Sequence, residues 1–263
     1  MIIKDQIGRL FELRTTPKRI VSLVPSQTEL LVDLGLEDCI VGVTKFCIHP
    51  KHLRKTKTRV GGTKEIHIDR IKALNPDIIL CNKEENTKKI VEACEAICPV
   101  HVSDIFTMED TLELMLQYGI LFEVESKAKA LVRRIGNEWQ EFKIYIASKP
   151  KLKVAYFIWK TPWMVAGANT FINYLLTCNG YENVFGDKTR YPTVELIDLK
   201  AKAVNHVFLS SEPYPFKTKH VKEFQENMGQ SIGVHIVDGE MFSWYGSRLQ
   251  YAFSYFKSLR QRL

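Results

Sequence analysis

From Arg19 the chain reads RIVSLVPSQTELLVDLGLEDCIVGVT, short apolar runs alternating with helical spacing. The run Ile20–Val24, closed by Pro25, predicts a buried strand. Ser26 and Glu29 stand in an S-x-x-E pattern, which predicts a capping box opening a helix that Gly35 ends. Ile40–Val43 is the next apolar run, so the three form a β-α-β unit with parallel strands. The pattern continues with a short helix over Ile68–Leu74, a strand at Asp77–Cys81 and a helix over Thr87–Ala96. A strand at Pro99–Ser103 and a helix over Glu109–Tyr118 close an α/β lobe near residue 122.

Ser126–Ser148 then keeps Ala128, Leu131, Val132, Ile135, Trp139, Phe142 and Ile146 on one stripe of 3.6-residue period, with Gly136 as its weak point. A helix of that length reaches about 34 Å, the span of a strut across two lobes. After Lys149-Pro150 the alternation restarts. A strand at Lys153–Ile158 leads through a loop to a helix over Thr170–Cys178 that Gly180 caps. A strand near Val234–Val237 and a helix from Ser247 finish the chain.

Two echoes run between the halves. TELLVDLG at Thr28–Gly35 parallels TFINYLLTCNG at Thr170–Gly180, and IDRIKALNPDIIL at Ile68–Leu80 parallels IDLKAKAVNHVFL at Ile197–Leu209. Two matches in order argue for two similar lobes. The fold expected is α/β, two Rossmann-like lobes with parallel sheets joined by one long α-helix. The divisions are 1–122, a connecting helix 123–149, and 150–263. Ligands of open parallel sheets sit beyond the carboxyl ends of the strands, so the loops following strands, TKFCIHP at Thr44–Pro50 among them, are expected to line a cleft.

Composition narrows this picture. The chain has 263 residues, 45% hydrophobic and 25% charged, ample for a large core. No apolar run reaches the ~18 residues that span a bilayer. The first twenty residues lack the ~7–15 apolar residues of a secretory signal, which as written places the chain in the cytoplasm. Six unevenly spaced cysteines predict reduced or buried thiols, not a disulfide framework. The net charge of +7 includes a basic run, KHLRKTKTR, carrying Lys51, Arg54, Lys55, Lys57 and Arg59. It has no interleaved aromatics and no nucleic-acid motif, so a solvated loop is the reading, an anion-facing or partner-facing loop the alternative, and no nucleic acid is expected.

The segments RIVSLVPSQTELL, VGVTKFCIHP, VGGTKEIHIDRIKALNPDIIL and GANTFINYLLTCNGYENVF, in that order, resemble the helical-backbone (class III) substrate-binding proteins of ABC importers. The similarity runs from about Arg19 to the end and lies nearest the cobalamin and ferric-siderophore binders. It implies a periplasmic protein that clamps cobalamin, haem or a ferric siderophore between lobes and docks on a membrane permease. It places a ligand-lining aromatic at Tyr191, before Pro192, and finds no aromatic in Gly61–Lys64, where the cobalamin binder has one. It places permease-docking acids at Asp69 and Asp198, where simple helix capping is the alternative.

Trp159, Trp163, Tyr191, Phe242, Trp244 and Tyr245 gather in the loops of the second half, a supply of flat apolar surface for a macrocycle or catecholate, with core packing as the alternative. Arg248, Lys64 and Lys83 are candidates for an anionic ligand edge, Arg248 alternatively for a surface or capping contact. Cys47 and His49 are candidate ligand contacts, His49 as an axial imidazole, or plain loop structure. Zinc would need three or four such groups converging, and no metal or cofactor of the protein's own is expected. Neither G-x-S-x-G nor a glycine-rich phosphate loop occurs, so the expectation is a monomeric, non-catalytic binding protein. The rival is an intracellular metal- or tetrapyrrole-handling protein, or a chelatase-like enzyme on the same scaffold.

Overall fold

A computed structural model describes residues 1–228 and 232–263. In chain order its elements are β1 (Ile2–Lys4), β2 (Leu10–Glu12), β3 (Ile20–Ser22), α1 (Pro25–Asp33), β4 (Ile40–Val43), α2 (Leu53–Thr56), β5 (Thr58–Arg59) and α3 (Ile68–Ala73). Next come β6 (Ile78–Asn82), α4 (Lys88–Glu95), β7 (Val100–Ser103), α5 (Met108–Leu121), α6 (Glu125–Ala147) and β8 (Leu152–Trp159). Then follow β9 (Met164–Val165), α7 (Phe171–Cys178), β10 (Tyr181–Asn183), α8 (Asp198–Ala201) and β11 (His206–Ser210). The chain ends with α9 (Thr218–Met228), β12 (Gly233–Val237), α10 (Gly239–Ser243) and α11 (Leu249–Gln261).

The chain forms two compact units, one of residues 1–135 with 245–248, the other of 136–244 with 249–263. In the first, a five-stranded sheet has the order β5-β4-β3-β6-β7, every pair parallel. The two central strands β3 and β6 are buried at every position, as continuous apolar runs demand when helices cover both sheet faces. Val21, Leu23, Ile71, Ile79, Val100 and Val102 knit strands and helices into one core. The antiparallel pair β1–β2 lies outside the alternation read from the sequence.

In the second unit β10-β8-β11-β12 are parallel, and β9 pairs antiparallel with β8. Phe157, Phe185, Phe216 and Phe224 dominate its core. The four-strand order repeats that of β4-β3-β6-β7, so the expected likeness of the two halves is present in the fold. The long helix is α6, 23 residues, with Ala128, Leu131, Ile135 and Phe142 on its buried stripe.

The helix starts hold two corrections. The N-cap of α1 is Val24, with no side-chain cap, and Pro25 opens the helix. Ser26 therefore stands inside the first turn, where the fixed φ of the preceding proline already presets the helix, and Glu29 is drawn into an ion pair. The capping box lies instead at Thr107 and Asp110 on α5, and single threonine caps serve α4 at Thr87 and α7 at Thr170. Asp69 and Asp198 are not caps either. The N-caps are His67 and Ile197, which leaves both aspartates in the first helical turn, where their charge favours the helix dipole.

Candidate functional site

In the five-stranded sheet of the first unit every pair is parallel, so the carboxyl ends of β3, β4, β5, β6 and β7 form one edge. The TKFCIHP segment leaves β4 there. Cys47 is fully buried, its Sγ 3.1 Å from Thr28 Oγ1 and 3.3 Å from Thr44 Oγ1, and Thr28 in turn donates to Ser22 Oγ at 2.8 Å. Burial pushes the Cys47 thiol up, so it is a protonated packing group and no thiolate ligand. With the cysteine pointing in, its neighbour points out: Phe46 is 48% exposed, with Lys45 Nζ 5.1 Å from its ring centre. Gly62 backs the ring, since a Cβ there would come within 3.2 Å of Phe46 Cε2. His49 is half-buried, follows in a cis peptide with Pro50, and favours the ionised form of Glu29.

Tyr245 and Arg248 belong to this same unit. The Arg248 guanidinium forks onto Glu29, Nε to Oε2 at 2.9 Å and Nη2 to Oε1 at 2.6 Å, with both side chains nearly buried. The carboxylate its fork was expected to meet is thus a side chain of α1. Desolvation raises the Glu29 carboxyl in spite of the guanidinium beside it. Tyr245 is buried beside Gln27, whose Nε2 donates to Ser103 Oγ at 2.6 Å and to the Tyr245 oxygen at 3.1 Å, while Tyr118 donates to Gln27 Oε1 at 2.7 Å. Asn82 Nδ2 extends the network to Ser103 Oγ at 3.0 Å. These groups brace the edge from beneath. Lys64 Nζ reaches Glu84 O at 2.6 Å and Lys83 Nζ pairs with Asp104 at 2.5 Å, both lysines exposed enough to turn toward an anion.

In the second unit the aromatics divide. Trp159 ends β8 and is 39% exposed, edge-on to Tyr214 with ring centres 5.5 Å apart. Trp163 turns inward: it lies edge-on to Phe157 and Phe224 at 5.6 and 5.3 Å and stacks over Phe216 at 6.2 Å, the role of a core residue. Phe242 is also core, fully buried against Tyr156 and Phe256. Trp244 is 7% exposed and donates Nε1–H to Glu212 Oε1 at 2.9 Å, an oxygen that Ser243 also meets at 2.7 Å. Burial raises the Glu212 carboxyl. Tyr191 is half-buried, with the Arg190 guanidinium 5.8 Å from its ring centre. Residue type and loop position were legible for these side chains, but inward or outward facing was not, and Phe46, Gln27, Glu29 and Glu212 were missed as site-edge residues. The one signal for Phe46 was its place beside a cysteine in a strand-to-loop turn.

Among the described residues no three His, Cys, Asp or Glu side chains converge as a metal site, and no helix is long and apolar enough to cross a membrane.

Residues 20–232 match the family model described as periplasmic binding protein. An ABC transporter substrate-binding lipoprotein of Bacillus subtilis, YvrC, is 25% identical over 264 residues, covering 90% of this chain and 82% of that one. A vitamin B12-binding protein of Yersinia pestis is 29% identical over 186 residues, covering 68% of this chain and 65% of that one, just under two thirds of its length. A periplasmic heme-binding protein from Pseudomonas aeruginosa has the same fold, with a TM-score of 0.80 at 21% identity over 92% of each chain. These findings overturn the cytoplasmic placement. It rested on the composition of the first twenty residues, whereas the family is periplasmic and the Bacillus relative a lipoprotein.

Proposed function

The chain belongs to the periplasmic binding protein family, and on that premise we propose that it is the substrate-binding component of an ABC importer for a metal chelate. The ligand is of the cobalamin, haem or ferric-siderophore kind. The observation that carries the reading is the family match over residues 20–232, joined by relatives named for vitamin B12 and heme. The exposed rings support it: Phe46 in the loop after β4 and Trp159 at the end of β8 offer apolar faces at the carboxyl ends of parallel strands. Tyr191 and Tyr214 extend the aromatic surface of the second unit, and Lys45, Lys64 and Lys83 supply positive charge for an acidic ligand edge. Arg248, Tyr245, Trp244 and Cys47 act from behind, each committed to a partner inside the protein. Trp163 holds the core under the Trp159 loop.

The role is non-catalytic and the working form a monomer. The buried thiol of Cys47 and the helix-bound Ser26 give no activated nucleophile, which supports binding over turnover. Asp69 and Asp198 are the docking acids for the permease.

Equilibrium titration with cyanocobalamin, haemin and a ferric hydroxamate tests the reading through tryptophan fluorescence. Saturable quenching by one of the three at micromolar concentration is expected. A flat response to all three overturns it, and metal insertion into a porphyrin with turnover would put the chelatase-like rival in its place.

A further inference from the structure

The basic run of the first unit takes no part in the ligand edge described above, apart from Lys64. Residues 51–72 carry eight Lys and Arg against two acids, a net +6 within a chain of net +7. They form α2, the edge strand β5 and most of α3. Leu53 is fully buried and anchors α2, while Lys51, Arg54 and Lys55 around it are exposed. β5 ends its sheet on β4, and Arg59 on it is exposed as well. Arg70 Nη1 donates to Arg59 O at 3.3 Å, which brings a further exposed cation from α3 to the same margin. The acid beside α2 is Glu37, and its carboxylate is met by His52 at 2.7 Å. Among the described residues none of Lys51, Arg54, Lys55 and Arg59 forms an ion pair, whereas Lys83, Lys88 and Lys153 elsewhere each face an acid.

One charge on β5 is enough to keep a sheet edge from pairing with a foreign strand, and that reading leaves the other cations without a role. A protein partner would want an apolar centre to its interface, and no exposed large hydrophobic side chain lies between residues 51 and 72. A nucleic-acid strand would want stacking rings, and the run has none. A sheet of lipid phosphates needs only cations that reach it. We propose that this margin rests on an anionic phospholipid surface, with Lys51, Arg54, Lys55, Arg59 and Arg70 meeting the headgroup phosphates. The proposal depends on the importer reading only for where such a surface is met, beside the membrane that holds the permease. Each Lys or Arg near an anionic bilayer raises the partition about fivefold. The attraction fades within about 8 Å at physiological salt, so only the cations of this margin contribute and the binding is reversible.

The test is co-sedimentation of the chain, without chelate, with vesicles of phosphatidylcholine and phosphatidylglycerol. Binding is expected there, with none to phosphatidylcholine alone and none at about 1 M salt, where charges are screened within about 3 Å. Replacing Lys51, Arg54, Lys55 and Arg59 together by Gln should weaken it about a hundredfold or more. Replacing Lys127, Lys129, Arg133 and Arg134 of α6 by Gln removes the same charge and should cost far less. Equal losses in the two variants, or no binding by the unaltered chain, overturn the patch, as does a preference for duplex DNA over the vesicles. Should the first variant fail to fold, hydrogen exchange of the unaltered chain decides: anionic vesicles should slow it over residues 51–70, and slowing confined to other segments overturns the patch equally. Chelate affinity of the first variant should stay unchanged. A chain that binds vesicles but no chelate fails the importer reading alone, and one that binds chelate but no vesicles fails the patch alone.

Discussion

Single side chains carry sharp expectations, in the first unit and in the core of the second. Arg248 and Glu29 have side chains only 9% and 12% exposed. Arg248→Ala should cost roughly 3–5 kcal/mol in chemical denaturation, because a buried carboxylate loses its partner, and replacing both residues by methionine should recover most of that. A loss within error for Arg248→Ala would show that the pair is solvated. His101 is buried with Nε2 3.0 Å from Gln117 Oε1, and burial depresses its imidazole below the ordinary value of 6.5. The folded chain then binds fewer protons than the unfolded one, so the stability His101 contributes is present above about 6.5 and is lost as pH falls through the depressed value. Denaturation midpoints should drop between pH 7 and pH 5, and His101→Gln should flatten that slope. Phe46 and Trp163 make a contrasting pair of aromatics. Phe46→Ala should weaken chelate binding about tenfold with little change in melting temperature, as loss of a half-exposed stacking face implies. Trp163→Ala should lose about 3 kcal/mol of stability by opening a hole among Phe157, Phe216 and Phe224. Equal stability losses in the two would contradict the assignment of one ring outward and the other inward.

Among the elements, the strands and helices that sequence alone discloses are those with a long enough pattern. The central strands, the threonine-led helices α4 and α7, and the 23-residue helix α6 all stand close to their expected places. The β1–β2 pair escaped because three residues per strand, IIK and LFE, show no period. The capping box was misassigned to α1 for a different reason. Ser-x-x-Glu is two residue types at a spacing, and a proline before the serine shifts the helix start two residues earlier, from Gln27 to Pro25, which moves Ser26 from cap to first turn. The distinction is measurable: Thr107→Ala should cost about 1 kcal/mol by removing a real cap, and Ser26→Ala should remove none of that kind. Denaturant titration of both variants, read by helix circular dichroism, separates them, and an equal or larger loss for Ser26→Ala would restore the box to α1. Loop content behaves like the caps. That aromatics and lysines crowd the loops is visible in the sequence, but whether a ring faces core or solvent depends on which neighbour the tertiary fold buries, as Cys47 and Phe46 show side by side.

At the scale of the molecule, the two echoes in the sequence correspond to a repeated order of parallel strands, β4-β3-β6-β7 in one unit and β10-β8-β11-β12 in the other. A recurring Ile-Asp stands at residues 68–69, the first two residues of α3, and at 197–198, the N-cap and first residue of α8, each helix directly preceding an equivalent strand, β6 or β11. Both aspartates are in the first turn of a helix of six or four residues, too short to owe its existence to one charge. A capping function would be local and would differ between the two, whereas a docking function requires both and leaves ligand binding alone. Asp69→Ala and Asp198→Ala should therefore each reduce chelate uptake in cells that carry the importer, with the double variant falling further than either. Chelate affinity of the isolated protein should stay unchanged. Uptake that survives the double substitution would end the docking role and leave the repeated Ile-Asp as a trace of duplication, and a fall in affinity alongside uptake would move these acids from the permease to the ligand.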